Sequence, residues 1–345
     1  MRGEGRSDAA ARSRIQADAR RLRAVIGAKD DDAGEGRPGV LLALAFPDRI
    51  ARRRDDGGRR YLLANNTGAL LPDWSQLARH EFLAVGDVDG AGLEAKIFLA
   101  APVTKDEIDT HGAGTIATTD ELFWDARTEA VLARRFRRLG AITIAEQMVT
   151  PDAAAAAELL LKEIVTRGIA CLPWHRETEN VRARSEWLRR RRLVGEEWPE
   201  LSDDHLVATA EEWLLPHLHG LSRMSHLDRL DLGMIIRQLL GEKNRRMVDT
   251  LAPAVLTSPV GRKVHLDYTV GDQPVMAVKL QDMFGQKQNP TVAQGKVKVL
   301  LHLLSPAGRP LAVTSDLASF WANAYADVRK QMRARYPKHK WPEIP

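Results

Sequence analysis

A single cysteine, Cys171, stands in 345 residues. A disulfide within the chain is thereby excluded, and so is a zinc site built from paired CxxC motifs. No apolar run approaches the roughly 18 residues of a membrane-spanning helix, and no stretch has the apolar core of a signal peptide. The expected location is the cytoplasm, with no membrane partner. Also missing is a phosphate loop, GxxxxGK[ST], whose amides and lysine would cradle a nucleotide. The nearest Gly-Lys pair, Gly295-Lys296, lacks both the earlier glycine and the following hydroxyl residue. "DEID" at 106–109 looks like a helicase acidic box, but without a phosphate loop ahead of it the match is coincidental. The chain alone is expected to hydrolyse no ATP and to hold no cofactor; whether it acts as an enzyme in a larger setting stays open.

What is present is a globular composition, 44% hydrophobic and 28% charged. The length predicts two or three domains. Lys and Arg number 51 against 46 acidic residues, a formal charge of +5. So mild an excess permits a basic face without establishing one.

The first 28 residues read as a helix, with Ile15, Leu22, Val25 and Ile26 at helical spacing. "AKDDDAGEGRPG" (28–39) reads as a linker. Short runs separated by Asn- and Gly-rich turns predict β structure over 58–103, and "TTDELFWDARTEAVLARRFRRLGAITIAEQMV" (118–149) extends it, with a helix over 119–126 as the alternative. From Pro151, placed at a first helical position, alanine- and leucine-rich segments ending in Gly or Pro predict helices to about residue 252. Two strands around "VGDQP", a hairpin around "SPAGRP" and an amphipathic helix over "LASFWANAYADVRKQMRARYP" complete the chain. The expected fold is α+β: helix and linker over 1–37, a small antiparallel OB-like β module over 38–150, a helical segment over 151–250 and a mixed α/β domain over 251–345.

No constellation for chemistry assembles. Cys171 and His175 are separated by a proline that spoils helical facing, so Cys171 reads as a buried thiol. His217, His219 and His226 lie among leucines with no carboxylate at a ligand-like offset, so no metal site is expected. The basic stretches carry more. Arg52, Arg53, Arg54, Arg59 and Arg60 fall on a hairpin with Tyr61 directly after them. Arginines beside an aromatic can track phosphates while the ring stacks a base. A solvated hairpin offset by Asp55 and Asp56 explains the same residues. "RRRR" at 189–192 is sprayed around a helix end, and the last helix carries Arg329, Lys330, Arg333 and Arg335 outward of a Trp321–Tyr325–Val328 stripe.

Several segments together resemble one family. "AFPDRIARRR…GGRRYLLANNTGALLP", "LARRFRRLGAITIAEQ", "CLPWH", "GEEWPELSD" and the whole run from "GRKVHLDYTVGDQP" to "KWPEIP" are similar to the C-terminal region of bacterial DExH-box helicases of the HrpB type. The resemblance runs from about residue 38 to 345. It implies an accessory region beside two RecA-like motor domains, which would supply ATP and Mg and are not represented here, so no catalytic residue is carried over. Implied partners are RNA or another single-stranded nucleic acid, the RecA-like domains in cis or in trans, and a possible partner protein that exposed Trp321 and Trp341 would serve.

Overall fold

The computed structural model describes residues 9–27, 36–54, 58–90, 94–111 and 116–345. The chain is α+β and divides into two compact units, residues 1–121 with 134–149, and residues 122–133 with 150–345.

In the first unit, helix α1 (Ala9–Ile26) leaves Ile15, Leu22, Val25 and Ile26 exposed. Most of the linker expected over 28–39 lies outside the described residues. α2 (Pro38–Ala45) opens on a proline, the position where the missing N–H costs nothing. Five strands follow: β1 (Ile50–Arg53), β2 (Arg60–Leu63), β3 (Gly68–Leu70), β4 (Phe82–Val88) and β5 (Ala95–Pro102). They close into a barrel in the order β1-β2-β3-β5-β4, with β3 and β5 parallel and every other pair antiparallel. This arrangement is compatible with the OB-like module expected from sequence. The β2–β3 turn forms because Asn66 takes φ 72°, which asparagine tolerates, and the Asn65 side chain accepts the Thr67 N–H at 3.0 Å.

One barrel core gathers Tyr61, Leu63, Leu71, Leu83, Val85 and Ile97. Each large side chain so buried contributes roughly 1.5–3 kcal/mol. A second cluster joins Ile50, Phe82 and Ile108 to Leu139, Ile142 and Ile144. α2 lies so close to the end of β5 that a Cβ on Gly39 would stand 1.9 Å from the Pro102 carbonyl oxygen, which only glycine allows. α3 (Lys105–His111) carries Glu107 and Asp109 of the "DEID" stretch, and both carboxylates are held structurally. Asp109 accepts two bonds from Arg137 at 2.9 Å, and Glu107 bonds Arg37 and the Thr104 N–H.

Strands β6 (Ile116–Asp125), β7 (Ala130–Leu139) and β8 (Ile142–Val149) form a separate sheet, so the helix alternative for 119–126 does not occur. Arg135 and Arg138 pair across β6 and β7 with Asp120 and Glu121. The far end of this hairpin, residues 122–133, belongs to the second unit.

That unit begins with α4 (Ala153–Arg167). Asp152 is its N-cap, accepting from the Ala154 and Ala155 N–H groups, so Pro151 stands one residue before the cap rather than at the first helical position. α5 (Arg176–Arg190), α6 (Asp203–Ala208), α7 (Ala210–Trp213) and α8 (Leu232–Leu251) follow; at Gly241 (φ 72°) α8 breaks into two segments. Seven strands follow among the described residues: β9 (Val255–Thr257), β10 (Lys263–Asp267) and β11 (Val275–Lys279), then the small hairpin β12 (Thr291–Val292) and β13 (Val297–Lys298), then β14 (Leu300–Leu304) and β15 (Pro310–Thr314). The five-stranded sheet runs β15-β14-β11-β10-β9, with β11 and β14 parallel. Alternation is clean. Leu266, Met276, Val278, Leu301 and Leu303 face the core, while Lys263, His265, Ala277 and Lys279 face outward.

α9 (Leu317–Ser319) and α10 (Tyr325–Arg335) flank a π-helical turn. Phe284 sits 6.0–6.4 Å from the rings of Trp321, Tyr325 and Trp341. Trp341 is 7% exposed, and Trp321 is half-buried with its indole N–H on the Gln286 carbonyl. These aromatics hold the domain together, and the expectation that they stand exposed for a partner is overturned.

Candidate nucleic-acid interface

The arginines predicted to grip phosphate sit where β1 ends and β2 begins, at one rim of the barrel. Arg53 lies opposite Tyr61, and Arg52 opposite Leu62. Because successive strand residues face opposite sides, Arg60 stands out while Tyr61 and Leu63 point in. Tyr61 is fully buried, and its hydroxyl faces the carbonyl oxygens of Leu77 (3.1 Å) and His80 (2.6 Å). Burial pushes its phenol above the ordinary value of 10. Its ring therefore presents no face to a base, which corrects the stacking role expected for it.

Each arginine has a partner. Arg53 donates to the Ala78 carbonyl at 2.7 Å, and Arg59 donates to the Leu71 carbonyl and pairs with Asp73. Both brace the barrel wall. Arg52 pairs with Glu81 at 3.2 Å and lies 6.0 Å from the Phe82 ring centre. Arg54 and Arg60 share one carboxylate, Glu94, at 4.0 and 3.4 Å. Among the described residues, two guanidinium groups thus share one carboxylate at this spot, and their side chains are 43% and 56% exposed. Asp55 and Asp56, the residues expected to offset the hairpin, lie outside the described residues.

Sequence reasoning passed over an aromatic that does stand free. Trp74 is 83% exposed, directly after the Asp73 that pairs with Arg59. Its signal was its setting: a tryptophan flanked by Asp73 and Ser75 in the turn-prone run "LPDWSQ". The barrel rim thus offers two exposed arginines and, beside Arg59, an exposed indole.

The other singled-out residues do not converge on a site. Cys171 is half-buried, and desolvation raises its thiol. His226 accepts the Ser222 N–H at 3.4 Å through Nδ1, and burial lowers its imidazole. Of the 189–192 run, Arg189 is held by Glu186 and Glu200, and Arg191 lies 3.8 Å from Asp272. Among the described residues, no group of three His, Cys, Asp or Glu side chains is placed to hold a metal, and no helix is long and apolar enough to cross a membrane.

Residues 213–345 match the model of the ATP-dependent helicase C-terminal family, HrpB_C. The chain as a whole is similar to the C-terminal region of HrpB. It is 38% identical over 312 residues to the ATP-dependent RNA helicase HrpB of Escherichia coli K12, covering 88% of this chain and 38% of that protein. The crystal structure of the E. coli DExH-box NTPase HrpB superposes with a TM-score of 0.53 at 38% identity, over 89% of this chain and 38% of that one. The chain thus spans a little over a third of the length of these relatives.

Proposed function

We propose that the chain is the accessory C-terminal region of an HrpB-like ATP-dependent RNA helicase, that its barrel is an OB-like module, and that the module grips single-stranded nucleic acid through the backbone with no ATPase of its own. ATP and Mg belong, in this reading, to RecA-like domains acting in cis or in trans. The strand order and the parallel β3–β5 closure support the OB assignment. In such barrels the β1–β2 and β4–β5 loops frame the binding face. The observation that carries the proposal is the meeting of Arg54 and Arg60, at the mouth of the β1–β2 loop, on Glu94, which leads into β5.

The test is binding of a labelled single-stranded RNA by fluorescence anisotropy at about 50 and about 200 mM salt. Arg54→Glu with Arg60→Glu is the informative variant, because Arg53 and Arg59 brace backbone carbonyls and their loss would perturb the fold. Two lost phosphate contacts should flatten the plot of log affinity against log salt by about 1.4. An unchanged slope would remove the barrel rim from the interface. The chain alone should release no phosphate from ATP above a blank.

Docking of a partner protein is the second reading. It is favoured by exposed Leu41, Leu44, Phe98 and Leu99 on the packed pair α2 and β5. Wild-type protein that binds no RNA even at low salt would favour it.

A further inference from the structure

The positive charge of this chain is unevenly placed. Residues 253–345 hold 13 Lys and Arg against six Asp and Glu, whereas residues 1–252 hold 38 against 40. The entire excess of +5 therefore resides in the last quarter of the chain. The two regions also treat their cations differently. At the barrel rim every arginine has a partner; among the described residues, the cations of 253–345 that form ion pairs are Arg262, with Asp282, and Arg329, with Glu343. Among the described residues, none of the eight lysines of that region forms an ion pair.

The sheet gathers several of these lone cations along one end. β10 and β11 pair antiparallel through Leu266↔Met276 and Asp267↔Val275, so Lys263 and Lys279 stand at the same end of the two strands, both exposed on the outward face. Lys279 lies beside Leu304, and Leu304 beside Pro310, so exposed Arg309 in the β14–β15 turn continues the row. Gln281, two residues past Lys279, donates to the Lys340 carbonyl at 3.2 Å and brings that segment to the same end. Neighbouring strands lie about 4.8 Å apart, and like charges gathered on them repel. Such a row fits a partner that supplies many negative charges in line.

We infer that Lys263, Lys279, Arg309 and Lys340 form a second track for the phosphodiester backbone of single-stranded RNA, in the C-terminal domain and separate from the barrel rim. The inference rests on the proposal that the chain handles RNA. An acidic protein surface fits less well: protein interfaces are depleted in lysine and anchored by aromatics, and here Trp321, Tyr325 and Trp341 pack inward. Lysines without bidentate partners read charge rather than sequence.

The experiment compares the 345-residue wild type with K263Q/K279Q/R309Q/K340Q and with R54E/R60E, using labelled single-stranded RNA and a labelled poly-glutamate peptide. All four altered side chains are exposed, and circular dichroism checks that each variant is folded. Losing four phosphate contacts flattens the salt slope by about 2.8, so the drop in affinity between about 50 and about 200 mM salt shrinks roughly 50-fold relative to wild type. That result, present in the quadruple variant whatever R54E/R60E does, supports the track. RNA binding by the quadruple variant with the wild-type affinity and slope overturns it while leaving the proposed function standing. Loss of poly-glutamate binding with RNA binding intact assigns the band to an acidic protein and also overturns it. Wild type that binds no RNA overturns both.

Discussion

Replacing Tyr61 by Phe removes the hydroxyl that lies between the Leu77 and His80 carbonyls. The expected cost is about 1–2 kcal/mol in urea unfolding, for a buried hydrogen bond lost without a substitute, with no change in RNA affinity. Trp74→Ala should do the reverse. Its exposed indole supports little of the fold, while a stacked base is worth about 1–3 kcal/mol in binding, so a titration with RNA should weaken by roughly tenfold or more. Arg184 is the third residue that decides something. It is 4% exposed, sits on α5, and donates to the Val248 and Ala252 carbonyls at the end of α8 as well as to Asp249. Arg184→Ala should cost about 2–4 kcal/mol in the same unfolding assay, since those carbonyls lose a charged donor. At this scale the sequence was legible in part. The arginine cluster was visible, but adjacency in "RRYLL" hid the fact that Arg60 and Tyr61 must face opposite sides of a strand. Arg184 was invisible because its partners lie 64–68 positions away.

Among the elements, turns were the most readable. Asn65-Asn66 separates β2 from β3 as local turn chemistry requires. The pairing of β3 with β5, which closes the barrel, had no local signal because parallel partners are joined through intervening strands. The start of α4 was misplaced by two residues for a similar reason: both Pro151 and Asp152 are start signals, and the carboxylate that reaches two free N–H groups sets the cap. Gly39 shows what pattern cannot reveal. In sequence it follows a helix-opening proline; in space it touches β5. Gly39→Ala would drive a methyl into the Pro102 carbonyl, and a loss of at least ~2 kcal/mol is expected by thermal or urea unfolding.

Over the whole molecule, alkaline pH is the condition that should expose the tyrosine cores. Burial raises the phenols of Tyr61, Tyr268 and Tyr325 above their ordinary value of 10. A group whose folded value is raised contributes its full stability below the unfolded value and loses it as pH climbs toward the folded one. The urea midpoint should therefore hold level up to about pH 10 and fall beyond it. Tyr268→Phe should lessen the slope, and an unchanged profile in that variant would assign the fall to other groups. Net charge, by contrast, was misleading as a single figure: +5 describes neither the balanced first 252 residues nor the basic remainder.

The hairpin that joins the two units has a practical bearing on dissecting the protein. Val131 lies in the core of the second unit with half-buried Leu122 and Trp124 packed against that core, the Val131 N–H reaches the Ser222 carbonyl, and Arg167 pairs with Glu129. A fragment begun near residue 150, or at the family boundary of 213, would be severed from a piece of its own interior and should express as an unstable or clumping product. Supplying 122–133 as a separate peptide, or splicing it ahead of residue 150 by a short flexible bridge, should restore a cooperative melt.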